Sequence, residues 1–300
     1  MDGAAQTQRR NLLIWLRALA GVYKAIDQKN LALISAGIAF YGILAVFPGI
    51  AAVIAIWGLV SDPAIVDSQL ELMRGIIPED AFGLLSAQVD TLVRTSSSTL
   101  GWASALSIFI ATWSARSGVG ALIRGLNTIH GTSNRGGIMH YLIALALTAC
   151  LIGVALVALT SIVIVPILLA FLPLGGLAEL IIELLRWSTA ITVLLMALSL
   201  LYRYGPNRPD YKMSWITPGS FLVVIFWAAA SAGFSFYLSN FGTYNEVYGS
   251  IGAVIAMLMW LYLSAFLILL GASLNVELVR ARDGAKAAKI SDRRHAVRNQ

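Results

Sequence analysis

The chain has 300 residues, of which 58% are hydrophobic and only 12% are charged, and its formal net charge is +6. Soluble domains carry about 25% charged residues. The apolar residues here fall into blocks of about twenty or more, which is typical of membrane spans. A single cysteine and three scattered histidines exclude a disulfide framework within the chain and a metal-ligand spacing pattern. These features exclude an ordinary soluble domain.

Residues 1–30 are predicted to form a cytoplasmic N-terminal segment with an amphipathic helix. Its apolar residues recur at three- and four-residue steps between positions 11 and 28, with basic residues between them, which predicts a helix with one apolar stripe (Leu12, Leu16, Leu19, Tyr23 and Ile26). Two locations fit this helix: the headgroup layer of the membrane, or the protein's own cytoplasmic surface. Residues 1–10 are polar, and we expect them to be disordered.

Six apolar stretches follow and predict an all-α, polytopic membrane protein with six transmembrane helices. Each stretch reaches the roughly twenty residues that a span requires. The predicted spans are 31–60, 100–123, 138–172, 180–202, 215–238 and 248–276, within a transmembrane domain of 31–278. A basic tail, 279–300, completes the chain. Pro48 lies inside the first span and predicts a kink, because proline removes a backbone donor; the bend is either a hinge or a packing feature.

The loop between the first two spans, 61–98, is predicted to lie on the outer side and to hold two short helices, 65–77 and 81–93. Orientation follows from the basic residues. Five occur in residues 1–30, two in 124–137, three in 203–214 and seven in the tail, against Arg74, Arg94 and Arg186 in the opposite loops. The positive-inside rule therefore places both termini in the cytoplasm. The same bias accounts for the net charge, so no nucleic-acid partner is expected.

Several short motifs identify a family. The last span carries Tyr248-Gly-Ser-Ile-Gly and Gly271-Ala-Ser-Leu-Asn275, and earlier positions carry Ala39-Phe-Tyr, Trp113-Ser-x-Arg116, Leu126-Asn127 and Tyr202-Arg-Tyr-x-Pro206. In this order and spacing the chain resembles the YihY/BrkB family over about residues 15–280. The resemblance implies a bacterial inner-membrane protein with six helices. Members have been labelled ribonuclease BN or serum-resistance factors, and some are linked to lipid export. Ser273 stands where members more often have an acidic residue.

The residues do not favour an enzyme. Metal-dependent RNA cleavage requires clustered acidic or histidine ligands, whereas the predicted spans hold almost no carboxylates and most acidic residues lie on the outer side. No Ser/His/Asp set, Gly-x-Ser-x-Gly turn or phosphate-binding loop is present in the sequence. We therefore expect neither catalysis nor a cofactor or metal, and we do not expect ribonuclease activity from this chain.

The second span carries the main candidate site. At 100° per residue, Trp113, Arg116, Arg124 and Asn127 share one stripe about 80° wide, and small residues occupy the far side. Arg116 lies only about 6 Å from the inner hydrocarbon edge. Two interpretations follow: Arg116 extends to the interface, or the stripe lines a cavity and binds an anionic headgroup.

The last span has a comparable small face, formed by Gly249, Ala253, Ala256, Ser264, Gly271 and Asn275. We expect this face to pack against another helix. Asn275 and Glu277 at its cytoplasmic end are candidates for helix capping, for pairing with Arg116 or Arg203, and for substrate binding.

The leading hypothesis is an inner-membrane carrier of an anionic amphipathic molecule, namely a lipid, with the bend at Pro48 as a hinge or gate. The alternatives are a scaffold for envelope assembly that recruits partners through 61–98, and a solute or ion channel. Membrane lipids are the expected partners, and the sequence is compatible with a homo-oligomer.

Overall fold

The structure, a computed structural model, describes residues 2–60, 97–170, 175–208, 214–240 and 250–298. Within these ranges all the regular secondary structure is α-helix, which confirms the predicted fold class. Seven helices occur in them: α1 (Asp2–Gln28), α2 (Leu31–Val60), α3 (Ser97–His130), α4 (Gly137–Ala170), α5 (Gly175–Tyr204), α6 (Pro218–Asn240) and α7 (Ser250–Arg298).

The chain divides into two compact units. One comprises residues 1–39 and 119–300, and the other comprises residues 40–118. The first unit thus holds α1, the beginning of α2, the end of α3 and all of α4 to α7. The second holds the remainder of α2 and α3.

Four helices in the described residues are long and apolar enough to cross a membrane, by the windows Gly137–Val154, Trp187–Tyr204, Pro218–Tyr237 and Val254–Ala287. A shorter apolar segment, Leu31–Ala45, begins α2. Large hydrophobic side chains are exposed along these helices, for example Phe226 at 54% and Phe236 at 72% on α6. Such surfaces suit contact with lipid, which is as apolar as the side chains themselves. A total of six spans stays a prediction.

Helix ends extend past the apolar stretches from which they were predicted. The first predicted span coincides with α2, but α7 continues to Arg298, through most of the predicted tail. Likewise α1 begins at Asp2, so residues 2–10 are helical rather than disordered. Charged residues end an apolar stretch, but they do not end a helix, because Arg and Lys favour the helical conformation, as Ala does. The two predicted loop helices, 65–77 and 81–93, lie outside the described residues, as does the side chain of Pro48.

Helix α1 packs on α7 through small and branched residues. Ala18 and Val22 are buried against Leu274 and Leu278. The predicted apolar stripe lies elsewhere on α1, where Leu12, Leu16, Leu19 and Tyr23 are exposed by 49–79%. The helix is therefore docked on the protein by one face and presents a second apolar face outward.

Helices α6 and α7 cross at a pair of glycines. A Cβ atom on Gly271 would lie 2.7 Å from the carbonyl oxygen of Gly219 and would overlap the Val223 side chain. The Trp227 Nε1 atom of α6 donates to Ser264 Oγ of α7 at 3.1 Å. Ser264 and Gly271 both belong to the small face predicted on the last span, so this part of the face serves helix packing.

The C-terminus of α3 is closed by a glycine. Gly131 has a φ of +68°, and its N–H donates to the Thr128 carbonyl while the Thr132 N–H reaches back to the Asn127 carbonyl. This pair of bonds is the Schellman arrangement, which satisfies the last carbonyls of a helix. Lys29 adds a further cap, since its Nζ donates to the Ile129 carbonyl at 2.5 Å.

Candidate functional site

Trp113 and Arg116 lie in the second unit and contact each other. The guanidinium carbon of Arg116 is 4.9 Å from the Trp113 ring centroid, and its Nη2 donates to Ser117 Oγ at 3.2 Å. Ser117 in turn donates to the Trp113 carbonyl at 2.9 Å. A cation over an indole face gains about 0.5–2 kcal/mol, the larger value where water is excluded. Arg116 is thus held over the half-exposed ring of Trp113.

Arg124 lies in the first unit and pairs with a histidine. Its Nη1 is 3.3 Å from Nε2 of His140, across the α3–α4 hairpin. A guanidinium can only donate, so Nε2 accepts and the ring of His140 is neutral in this arrangement. Arg124 is exposed, and Met139, Tyr141 and Leu142 beside His140 are exposed as well. A cation therefore sits next to an outward-facing apolar surface.

Asn127 occupies a buried junction between loops. Its Oδ1 accepts from the backbone N–H of Asn207 at 2.7 Å and from Thr132 Oγ1 at 3.3 Å. Its Nδ2 donates to Asn134 Oδ1 at 2.9 Å. With 1% exposure, the side chain joins the loops at 131–136 and 205–208. Asn127 and Arg124 share a helix face but engage different partners.

Arg135 strengthens the same junction and was not singled out from the sequence. Its Nη1 donates to the Gly205 carbonyl and its Nη2 to the Pro206 carbonyl, each at 2.7 Å. Burial lowers the pKa of this guanidinium below its ordinary value, yet it remains protonated. The sequence pointed to this junction only through the Tyr202-Arg-Tyr-x-Pro206 motif, which contains the two carbonyls to which Arg135 donates.

Asn275 caps the N-terminus of α6. Its Oδ1 accepts from the Gly219 N–H at 2.8 Å, and its Nδ2 donates to Thr217 Oγ1 at 2.9 Å. Thr217 itself accepts from the Ser220 N–H, while Ser220 Oγ accepts from the Thr217 N–H. This reciprocal capping box satisfies the first amides of α6, and Pro218 needs no partner there. Asn275 thus caps a neighbouring helix rather than its own.

Glu277 belongs to the contact between α1 and α7. Its Oε1 accepts from Arg280 at 2.6 Å, and its side chain is 14% exposed. A Cβ atom on Gly21 would lie 2.6 Å from Glu277 Oε2, so a larger residue at this point of α1 would displace the end of the Glu277 side chain. The carboxylate pairs with Arg280 of its own helix, one turn away.

The predicted site residues therefore fall into separate local environments. Trp113 and Arg116 form one, in the second unit. In the first unit Arg124, Asn127, Asn275 and Glu277 each have their own partners. Arg124 with His140 is the arrangement that leaves a cation at the surface.

The long apolar helices and their exposed hydrophobic side chains define an integral, multi-pass α-helical membrane protein. The model of the family described as Virulence factor BrkB matches residues 22–296, and the chain belongs to that family.

Two kinds of relative are similar to this chain. The ribonuclease-like protein YfkH of Bacillus subtilis (strain 168) is 30% identical over 246 residues, which cover 80% of this chain and 87% of that protein. A UPF0761 membrane protein of Xanthomonas campestris pv. campestris (strain 8004) is 39% identical over 89 residues, or 29% of this chain and 21% of that protein. No solved structure matches the chain.

Proposed function

We propose that this membrane protein binds and moves an anionic amphipathic molecule, and that membrane lipid is the substrate class. The observation that carries the proposal is Arg124. In the described part of the chain its guanidinium has one side-chain partner, the His140 imidazole, and no carboxylate. A planar guanidinium at a membrane surface is suited to a phosphate headgroup.

The surroundings of Arg124 match the rest of such a molecule. Met139, Tyr141 and Leu142 flank His140 and are exposed by 57%, 36% and 52%. An acyl chain would lie along this apolar surface of α4 while its headgroup contacts Arg124. Arg116, held over Trp113 in the other unit, is the second guanidinium that we assign to an anionic group.

The proposal describes a carrier without covalent chemistry. It places the chain in the bacterial inner membrane, with six spans and both termini in the cytoplasm, because the basic residues concentrate in alternate loops. The ribonuclease-like name belongs to the Bacillus relative. In this chain the predicted spans hold too few carboxylates to assemble the ligands that metal-dependent RNA cleavage requires.

The test uses purified full-length protein in liposomes that contain a fluorescent phosphatidylglycerol. Dithionite quenches the label in the outer leaflet, so the later loss of signal reports translocation. Arg124→Gln should slow translocation about tenfold, because it removes a charge-assisted contact of about 1.5–3 kcal/mol. Arg124→Lys keeps the charge but not the planar fork. Its translocation rate should lie between those of the wild type and Arg124→Gln.

Arg17→Gln is the matched control, since Arg17 is an exposed arginine of α1 outside the site. It should translocate lipid at the wild-type rate. If Arg124→Gln and Arg17→Gln are equally active, Arg124 does not contact the substrate and the proposal fails at its main observation.

A further inference from the structure

A cavity of about 140 Å³ lies in the first unit, at the C-terminal end of α3 and beside α7. Besides two valines of α7, it is lined by polar or charged side chains: His130, Arg208, Asn275, Arg280 and Asp283. None of these residues belongs to the Arg124–His140 pair. One internal water needs roughly 10–15 Å³, so the cavity has room for a phosphate-sized group.

The charged residues of the lining, two arginines and one aspartate, sum to a net charge of +1 when His130 is neutral. Arg208, from the loop that follows α5, and Arg280, from α7, place two guanidiniums at the cavity against one carboxylate, Asp283. Both arginines are also exposed, which leaves the cavity accessible from solvent. Glu277 lies outside the lining, and its carboxylate pairs with Nη1 of Arg280 at 2.6 Å and offsets part of that positive charge. Guanidiniums bind phosphate-type oxyanions with two parallel hydrogen bonds.

His130, whose imidazole can take up a proton, lines the cavity. Its ring is 8% exposed, and Nδ1 donates to the Leu126 carbonyl at 2.8 Å. Because a carbonyl can only accept, Nδ1 carries the proton of the neutral ring, and Nε2 becomes a donor only when the ring is protonated.

The charge on His130 is controlled by its surroundings. Burial lowers its pKa below the usual 6.5, the Leu126 bond opposes this, and the positive charges of Arg208, Lys29 and Arg280 lower the pKa further. The ring is therefore neutral at pH 7. An anion between the arginines would offset that positive potential and favour the protonated ring.

We propose that this cavity binds one phosphate-type oxyanion between Arg208 and Arg280, and that His130 takes up a proton from water when the anion binds. The anion is either a soluble ion or the headgroup of a lipid. Both present the same oxygens to the arginines. The site stands apart from the translocation proposal, since neither Arg124 nor Arg116 lines it.

Sulfate is the probe, because its charge is constant between pH 6 and pH 8. Titration calorimetry on the full-length protein in an uncharged detergent gives its Kd. Arg208→Gln and Arg280→Gln should each weaken binding about tenfold. Arg282→Gln removes the same charge from an exposed position of α7 outside the cavity, and should bind like the wild type.

Asp283→Asn provides a gain that misfolding cannot imitate. Removing the one carboxylate of the lining should tighten sulfate binding several-fold. The pH arm tests His130: wild-type binding should be several-fold tighter at pH 6 than at pH 8, and His130→Gln should remove most of that difference. The absence of sulfate binding to the wild type would overturn the proposal. So would equal binding by Arg208→Gln and Arg282→Gln.

Nanodiscs separate the two sources of the anion. If sulfate binds in phosphatidylcholine nanodiscs and is lost in phosphatidylglycerol nanodiscs, the lipid headgroup occupies the site. Equal binding in both assigns the site to a soluble oxyanion. Binding in neither nanodisc refutes a site in the membrane-embedded protein.

Discussion

Asn275 offers the sharpest separation between a substrate contact and a structural cap. From the sequence alone it was a substrate-binding candidate. In the structure its Oδ1 accepts from Gly219 and its Nδ2 donates to Thr217, both at the first turn of α6. Asn275→Ala removes two buried hydrogen bonds. It also removes the acceptor of the buried Gly219 N–H.

The expected cost follows from these contacts. Each lost hydrogen bond contributes about 0.5–1.5 kcal/mol, and an orphaned buried donor costs about 1–3 kcal/mol. We expect Asn275→Ala to lower the free energy of unfolding by about 2–4 kcal/mol. Asn275→Asp keeps the acceptor for the Gly219 N–H and adds a negative charge at a helix N-terminus, so it should lower the free energy of unfolding by less than Asn275→Ala does.

The assay is unfolding of the purified protein in mixed detergent micelles, followed by circular dichroism as the fraction of SDS rises. Asn11→Ala, an exposed asparagine of α1, is the control and should leave the midpoint unchanged. If Asn275→Ala unfolds at the wild-type midpoint but no longer translocates lipid, Asn275 acts on the substrate and the capping argument is wrong.

Three further predictions concern packing, pH and topology. Gly271→Ala should lower the free energy of unfolding by about 1–3 kcal/mol through overpacking. Gly233→Ala is the control and should leave it unchanged, because nothing lies within 4 Å of a Cβ atom at that position. If both substitutions lower the free energy of unfolding equally, the close contact of α6 and α7 at their glycines is contradicted. Because the pKa of His130 is lowered in the folded state, the unfolded chain binds more protons just below pH 6.5 and stability should fall as pH decreases through that range. His130→Gln should reduce this fall in the SDS assay, and an unchanged pH dependence would count against the buried neutral ring. Because the C-terminus is proposed to be cytoplasmic, a green fluorescent protein fused to it should fluoresce in a bacterial host. An active alkaline phosphatase fusion at the same end would contradict the proposed topology.

The helices were predictable because hydrophobic stretches of sufficient length leave few alternatives in a membrane protein. The first predicted span and α2 coincide at 31–60. The extension of α7 to Arg298 was missed, since hydropathy ends with the first charges while helix propensity does not. The exposed stripe of α1 was predicted, but its packing face of Ala18 and Val22 was not, because small residues give a weak periodic signal.

For the candidate site, only the contacts between residues of the same helix could be predicted from the sequence. Helical geometry placed Trp113 near Arg116, and these two are in contact. The same geometry grouped Asn127 with Arg124, although its partner Asn207 lies 80 positions along the chain. Asn275 meets Gly219 over a separation of 56 positions. Contacts made through loops and neighbouring helices have no signature in one helical wheel, so those roles required the structure.

The central claim is that this protein moves an anionic amphipath, and one comparison tests it directly. Liposomes with and without the wild-type protein receive either fluorescent phosphatidylglycerol or the same label on phosphatidylcholine. We predict protein-dependent translocation of phosphatidylglycerol at a rate at least several-fold above that of phosphatidylcholine, since a guanidinium discriminates by headgroup charge. Equal rates with and without protein for both lipids would contradict the account.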